Sequence, residues 1–469
     1  MPDQALNLIK GDIIGNETDY RDALPVNMYA IYRPMFGVQG YMLQYPGLTK
    51  LGEGFGIDRG GVWNERQENH FRVSGSNFIE VDKNGNSTSL GIIGGSDTAS
   101  FAYSFNTQAI VANENYYLYD PVNGFRQILD PDVGNPIDIV WIDGYYCFTD
   151  GENLYHTDIT DEESIDPLNY GTAEFMPDPA LGVAKTQDNK WMVFGRYTVE
   201  YFRNDASADF SFSRVQQRAI KIGIVGTHCK AELGGNWFIL GGRKEEAVSV
   251  HVLGVGSAQK VATREVEKVI GIYSEEQLRD SVVESYEEDG YSFVIIHLPN
   301  HTLLFNQTIS GSAGIDNAWT ILKTDVKGNA TYRAIHGVFD ARRGEWIYGD
   351  KRNANIGILD SKVATHYDDI AEWLLFSPLY YFDSQSIDQI EIETIPGHTT
   401  SDESIVDLSM TYDAVFYGTA YGEEYGMQND YNKRWYLRRL GYVRDYVGFK
   451  LRGASRSRMA FGAGKITYG

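Results

Sequence analysis

The sequence predicts a mainly β protein, a β-propeller of six or seven blades followed by a C-terminal β-sandwich-like domain. Three observations carry that reading. An alternation of apolar and other residues, running into Asp, Asn or Gly, recurs along the chain; its copies are spaced like propeller blades; and the beat stops after Trp373, where longer alternating runs begin.

The alternation is read at Phe78-Ile79-Glu80-Val81-Asp82, Tyr117-Leu118-Tyr119-Asp120, Leu154-Tyr155-His156-Thr157-Asp158 and Val199-Glu200-Tyr201-Phe202-Arg203-Asn204. It returns at Val250-His251-Val252-Leu253-Gly254, Leu303-Leu304-Phe305-Asn306 and Ile356-Gly357-Ile358-Leu359-Asp360. Period two marks a half-buried strand, and a turn residue directly after it is hairpin chemistry. With Ile79, Leu118, Leu154, Val199, His251, Leu304 and Ile358 as markers, the spacings are 39, 36, 45, 52, 53 and 54 residues. One four-stranded blade occupies about 40 to 50 residues. A sandwich would show turns every 8 to 12 residues or so without this longer beat, and a parallel α/β fold needs helices between its strands. One good helix candidate is present, Ser274 to Ser285, with Ser274 as N-cap and Gln277 at the capping-box position.

Three parts follow. Residues 1–48 are expected to form an N-terminal arm, with a strand that can complete the last blade, residues 49–375 the propeller, and residues 376–469 a separate β-domain. In that last part Ile387 to Thr394, Ser404 to Met410 and Trp435 to Arg452 read as strands. Trp435 and Leu437 fall on one strand face with Arg434, Tyr436 and Arg438 on the other. Phe449 and Leu451, against Lys450 and Arg452, repeat the device.

Composition narrows the function classes. The 469 residues carry 41 Lys+Arg against 64 Asp+Glu, a net charge of −23, and 42% of them are hydrophobic. A core can be buried, while the surplus negative charge repels phosphate, so the molecule as a whole is not built to hold nucleic acid. The charge is uneven. Residues 431–469 hold ten basic side chains and one acid, a net of +9, whereas the first 430 residues carry −32. That asymmetry points to a basic surface meeting an acidic partner or another copy of the chain. Its candidate contact residues are Arg434, Arg438, Arg439, Arg444, Lys450, Arg452, Arg456 and Arg458.

Cys147 and Cys229 are too few for a disulfide framework and read as buried small hydrophobes. Met1-Pro2-Asp3-Gln4-Ala5-Leu6 lacks the pattern of a signal peptide, and no run of about 18 apolar residues occurs, so folding in a cytosol is expected.

The search for chemistry returns no site. His297 and His301 have helical ligand spacing, but Pro299 between them makes a strand end and turn the better reading. Asp82, Asn84 and Asn86 imitate a calcium loop, yet Gly85 and Ile93 occupy the wrong positions, leaving an Asn-Gly hairpin. Carboxylate pairs such as Asp130 with Asp132, or Glu287 with Glu288 and Asp289, arise by chance among 64 acids. Ser312 to Trp319 has Asp316 and Trp319 in the manner of a sialidase aspartate box, but only once and without the Gly. No Gly-x-Ser-x-Gly elbow, phosphate loop or Gly-x-Gly-x-x-Gly is present. The expectation is no catalytic residues, no metal, no cofactor and no enzyme.

The chain resembles the packaged-DNA stabilisation proteins, also called tail accessory factors or tail hubs, of short-tailed double-stranded DNA bacteriophages. The likeness is carried by Leu24-Pro25-Val26-Asn27-Met28, Phe194-Gly195-Arg196 with Glu200-Tyr201-Phe202, and Ile222-Gly223-Ile224-Val225-Gly226. It continues through Leu298-Pro299-Asn300-His301-Thr302-Leu303, Lys433-Arg434, Leu440-Gly441 and Val447-Gly448-Phe449-Lys450-Leu451-Arg452. The resemblance implies a structural virion protein of the tail, made and assembled in the host cytoplasm. It would join the head-to-tail adaptor ring below the portal after packaging, form a homo-oligomeric sixfold hub and help seal the exit channel. Tailspikes and a tail needle or plug would dock on it, and DNA would be cargo only. The rival reading is a glycan-binding or glycan-cleaving propeller, with tyrosines as stacking platforms. Ring formation or adaptor binding separates the hub from a compact sugar binder.

Overall fold

The computed structural model describes residues 3–6, 23–33, 40–159, 161–207, 210–215, 218–254, 256–326, 331–399, 404–430 and 432–469. Seven antiparallel sheets form a ring, so the propeller has seven blades. Blade 1 spans 58–92, blade 2 100–127, blade 3 138–171, blade 4 180–214, blade 5 223–260 and blade 6 282–322. Blade 7 takes three strands from 334–360 and its outermost strand, Gly47–Glu53, from the other end of the chain. The N-terminal strand thus closes the ring.

The local chemistry explains the blades. Each first strand lines the centre, and tight turns fold the second strand back on it. At Asp143-Gly144, Gly234-Gly235 and Asp289-Gly290 both turn residues have positive φ (52° and 94°, 58° and 80°, 51° and 79°). Such turns match the right-handed twist of the strands they join. All seven sequence markers, from Ile79 to Ile358, lie on the third strand of their blade. Between blades, aromatic side chains fill the wedge: Tyr116, Phe148 and Tyr155 between blades 2 and 3, Trp191 and Phe212 at blade 4. Cys147 and Cys229 are buried among such residues as free thiols.

One expected element is much shorter than its pattern suggested. The helix expected over Ser274 to Ser285 is a single turn, Glu275–Leu278. The capping box forms, Gln277 N–H donating to Ser274 Oγ at 3.3 Å and Ser274 N–H to Gln277 Oε1 at 2.9 Å. The residues beyond it are claimed by blade 6, since Val282–Glu288 is that blade's innermost strand and buries β-branched Val282 and Val283. Packing between blades outweighs a short stretch of helix propensity. Two helices, Arg264–Ile270 and Gln307–Ala313, were not foreseen.

After Trp373 the chain builds a sandwich of two sheets. One has the order Met28–Ile31, Tyr41–Gln44, Ala460–Tyr468, Gln385–Thr394, Arg434–Val443, with Asp3–Leu6 also paired to Ala460–Tyr468. The other runs Trp373–Phe376, Tyr446–Gly453, Ile405–Thr411, Tyr421–Glu424, with Tyr380–Tyr381 beside Tyr446–Gly453. The N-terminal strands before the blade-closing one therefore stand in a C-terminal sheet where an arm was expected. Asp3–Leu6 and Tyr41–Gln44 find partners more than 400 residues away in Ala460–Tyr468, a pairing that local pattern does not report.

Both sheets start against the propeller and end at free edges. Val26 bridges Ile321 of blade 6 on one side and Leu374 of the second sheet on the other. The far ends are Arg434–Val443 and Tyr421–Glu424, where Trp435 Nε1 donates to Glu423 O at 3.2 Å.

Candidate functional site

The segment Arg434–Val443 alternates as expected at its start: Trp435 and Leu437 are buried, while Arg434, Tyr436 and Arg438 are exposed. Its pairing with Gln385–Thr394 slips by an extra residue near Arg439, whose backbone is left-handed at φ 60°. This bulge kinks an edge strand and discourages strand-on-strand pairing with another chain. Exposed side chains are then left to make any contact.

The eight candidate cations divide into three groups. Arg438, Arg439 and Arg444 project from the free edge. Arg438 stacks over Tyr436 at 4.8 Å and donates to Gln389 Oε1 at 3.0 Å; Arg444 is 86% exposed, with Asp445 at 3.8 Å. Arg439 has no ion pair among the described residues. Tyr436 and Tyr442 stand exposed on the same strand, so the edge presents guanidinium forks beside aromatic rings.

Arg434, Lys450, Arg452 and Arg456 are at least partly engaged within the chain. Arg434 donates to Glu391 at 2.7 Å, and this hydrogen bond raises its own pKa. Burial alone would push the Glu391 carboxyl up, but Arg434 and Lys465 hold it below the usual range. Lys450 lies over the Tyr417 ring at 4.5 Å, and burial, aided by Arg452, lowers its pKa. Arg452 Nε donates to Glu372 at 2.9 Å, with Asp407 at 3.6 Å. Arg456 is 60% exposed and 3.9 Å from Asp368.

Arg458 is placed differently from the surface position expected for it. It is 5% exposed and donates to Gln44 O at 2.6 Å, Ser361 O at 2.9 Å and the Tyr29 hydroxyl at 3.2 Å. Its fork ties the sandwich to the end of blade 7, and it has no group left for a partner. The reason is local: Met459 and Ala460 lead into a strand beside Tyr41–Gln44, which turns Arg458 inward.

The residues that carry the phage likeness sit at junctions. Asn27 Nδ2 donates to Lys323 O and Glu372 O, both at 2.8 Å, and its Oδ1 accepts from Lys323 N at 2.9 Å. One amide thus clamps the N-terminal strand, the end of blade 6 and the segment entering the sandwich. Arg196 forms a two-pronged pair with Glu275 at 2.7 and 2.8 Å. A Cβ on Gly223 would strike the Gly195 carbonyl, so two quoted motifs meet backbone to backbone.

Local pattern missed the charged cluster lining the centre. Arg72 donates to Asp58 at 2.7 and 2.9 Å, and His336 Nδ1 donates to the same carboxylate at 2.8 Å, linking blades 1 and 7. Lys351 donates to His297 Nδ1 at 2.9 Å, and His297 Nε2 to Glu284 at 2.7 Å. Burial, aided by Lys351, holds His297 down to about 4. Lys230 pairs with Asp138 at 2.7 Å. These partners lie up to 278 positions apart and meet only because first and second strands converge. The cluster is balanced, each acid with its own base. No group of three or more metal-ligating side chains occurs among the described residues. Asp130 merely caps a short 3-10 turn, accepting from Asp132 N at 2.8 Å. Asp82 likewise accepts from Asn84 and Asn86 N–H in a turn.

Two family models match this chain: bacteriophage P22 Gp10, beta-propeller, over residues 4–364, and bacteriophage P22 Gp10, beta-sandwich, over residues 372–469. The second match takes in the 377–430 stretch that bears none of the quoted motifs. The tail hub protein gp10 of Salmonella phage P22 is 30% identical over 480 residues, covering 97% of this chain and 98% of that protein. Among solved structures, a streptogramin B lyase is similar at TM-score 0.42 and 10% identity, covering 68% of this chain and 97% of that one. The Pan2 WD40 domain of Neurospora crassa is similar at TM-score 0.42 and 9% identity, covering 67% and 96%. Likeness at that level bears on nothing beyond the comparison itself.

Proposed function

This chain belongs to the bacteriophage P22 Gp10 family and is a structural tail hub protein of a phage virion; from that premise we propose the place and contacts of the hub. The protein assembles as a sixfold ring on the head-to-tail adaptor below the portal after packaging. It helps seal the exit channel and offers docking surface to tailspikes and to a needle or plug. It performs no catalysis.

The observation that carries this reading is the gathering of cations on the last strands, residues 431–469, against an acidic remainder of the chain. An acidic propeller repels passing DNA, where a basic wall would hold it by counterion release. The cations are gathered at the sandwich edge, where Arg438, Arg439 and Arg444 can meet carboxylates as planar forks.

The test uses packaged particles made without this protein, which should leak DNA. Adding the purified chain is expected to stop the leak and place a ring beneath the adaptor in electron micrographs. Unchanged leakage with no added density would overturn the proposal.

A further inference from the structure

The sandwich is joined to one side of the propeller. Its strands meet the outer strand of blade 6 at Val26 and Ile321, and Arg458 reaches Ser361 at the end of blade 7. In a ring of seven, the blade facing away from that pair is blade 3. The buried clusters of blade 3 accordingly contain side chains of blades 2 to 4 and none from the sandwich. The free sandwich edge and blade 3 are therefore at opposite ends of one molecule.

Those ends carry opposite charge. Between Arg126 and Lys185 the chain has 13 Asp and Glu and no Lys or Arg, while residues 431–469 have a net of +9. The long loop between the third and fourth strands of blade 3 brings Asp161 and Asp166 to the surface beside exposed Ile159 and Leu168, while Glu163 in the same loop is held by Arg126 at 2.6 Å. Arg438, Arg439, Arg444 and two exposed tyrosines stand at the Arg434–Val443 edge, with one acid, Asp445, beside Arg444; Glu423 and Glu424 are exposed on the neighbouring strand, Tyr421–Glu424. No chain can bring its own two ends together.

We propose that the Arg438, Arg439 and Arg444 edge of one subunit docks on the acidic outer loop of blade 3 of the next copy of this chain. A two-fold contact of either patch with itself would oppose like charges. The head-to-tail contact pairs plus with minus and, when its rotation closes, generates a ring. The bulge at Arg439 makes this a side-chain contact instead of a shared sheet. The proposal rests on the hub reading and adds to it which surfaces meet.

The test uses full chains and charge reversal. One variant carries Arg438→Glu, Arg439→Glu and Arg444→Glu; the other carries Asp161→Lys and Asp166→Lys. Melting curves confirm that each folds, and rings on hub-less particles are counted by electron microscopy. Each variant alone should give at least about tenfold fewer rings than the unaltered chain. An equal mixture should restore them, because reversed edges then face reversed loops in alternation around an even ring. Variants that still form rings alone, or a mixture that gives no rescue, would overturn the contact and direct the edge to a partner other than this chain. Failure of the unaltered protein to form rings would strike the hub reading itself, and the contact with it.

Discussion

Arg452 of the second sandwich sheet donates to Glu372 at 2.9 Å, and the other oxygen of Glu372 accepts from Lys323 at the end of blade 6. One carboxylate, 10% exposed, thus balances a cation of the propeller and a cation of the sandwich.

Glu372→Gln should destabilise the whole chain. It leaves Lys323, 10% exposed, without its counter-charge. Removing one partner of a fully buried pair costs about 3–5 kcal/mol, and partial exposure of Arg452 reduces this to roughly 2 kcal/mol. Thermal or urea unfolding measures the loss; an unchanged midpoint would show that the junction does not depend on this charge.

Gly52→Ala should loosen ring closure. The closing strand passes so near the Asp82–Asn86 turn that a Cβ at Gly52 would strike the backbone carbonyl of Gly85. Overpacking against backbone costs roughly 1–3 kcal/mol. Limited proteolysis should cut first near residues 47–53, and resistance equal to that of the unaltered chain would contradict the prediction.

Acid should weaken the fold from about pH 6.5 downward. Burial holds His70, His228 and His297 down to about 4, with Arg72, Lys230 and Lys351 respectively adding to the effect. In the unfolded chain these rings take protons near 6.5. The unfolded state then binds protons first, so stability is full above about 6.5 and is lost as pH falls towards 4. Asp58 acts in the same direction at lower pH: burial would raise its pKa, but Arg72 and His336 hold it lowered. Melting temperatures across pH 7.5 to 4.5 should decline, and His297→Gln should shallow the slope. A flat profile would be inconsistent with these buried neutral rings.

Both cysteines should resist thiol reagents until the protein unfolds. Cys229 is fully buried and burial pushes its pKa up to about 12; burial raises Cys147 as well. A thiol-reactive dye should report two sites in denaturant and none in buffer. Rapid labelling in buffer would place a thiol at the surface.

The propeller was legible because each third strand repeats one local pattern, and the sequence markers fall on these strands. For blade 7 the need for a closing strand follows from a ring, and the N-terminal part of the chain was read as able to supply it; Gly47–Glu53 does so from across the expected boundary at residue 48. The sandwich edge was readable from alternation at Arg434 to Arg438. What escaped depends on partners far along the chain. The Asp58, Arg72 and His336 cluster joins residues of blades 1 and 7, and Arg458 looks like any surface arginine until Gln44 O and Ser361 O are placed around it. The Ser274 helix was over-read because a correct cap specifies where a helix begins, whereas blade 6 decides where it stops.

The pairing of Asp3–Leu6 with Ala460–Tyr468 makes the propeller an insertion within the sandwich. A ribosome delivers all seven blades before the strand that completes the sheet, and Tyr41–Gln44 must wait for Ala460 and Phe461. Pairings of such long sequence separation form late. A chain broken off early can close its ring of blades, yet it has neither the strand that seats the N-terminus nor the arginine edge. Completion of the sandwich is therefore tied to the last strand of the chain, and the ring of blades can precede it.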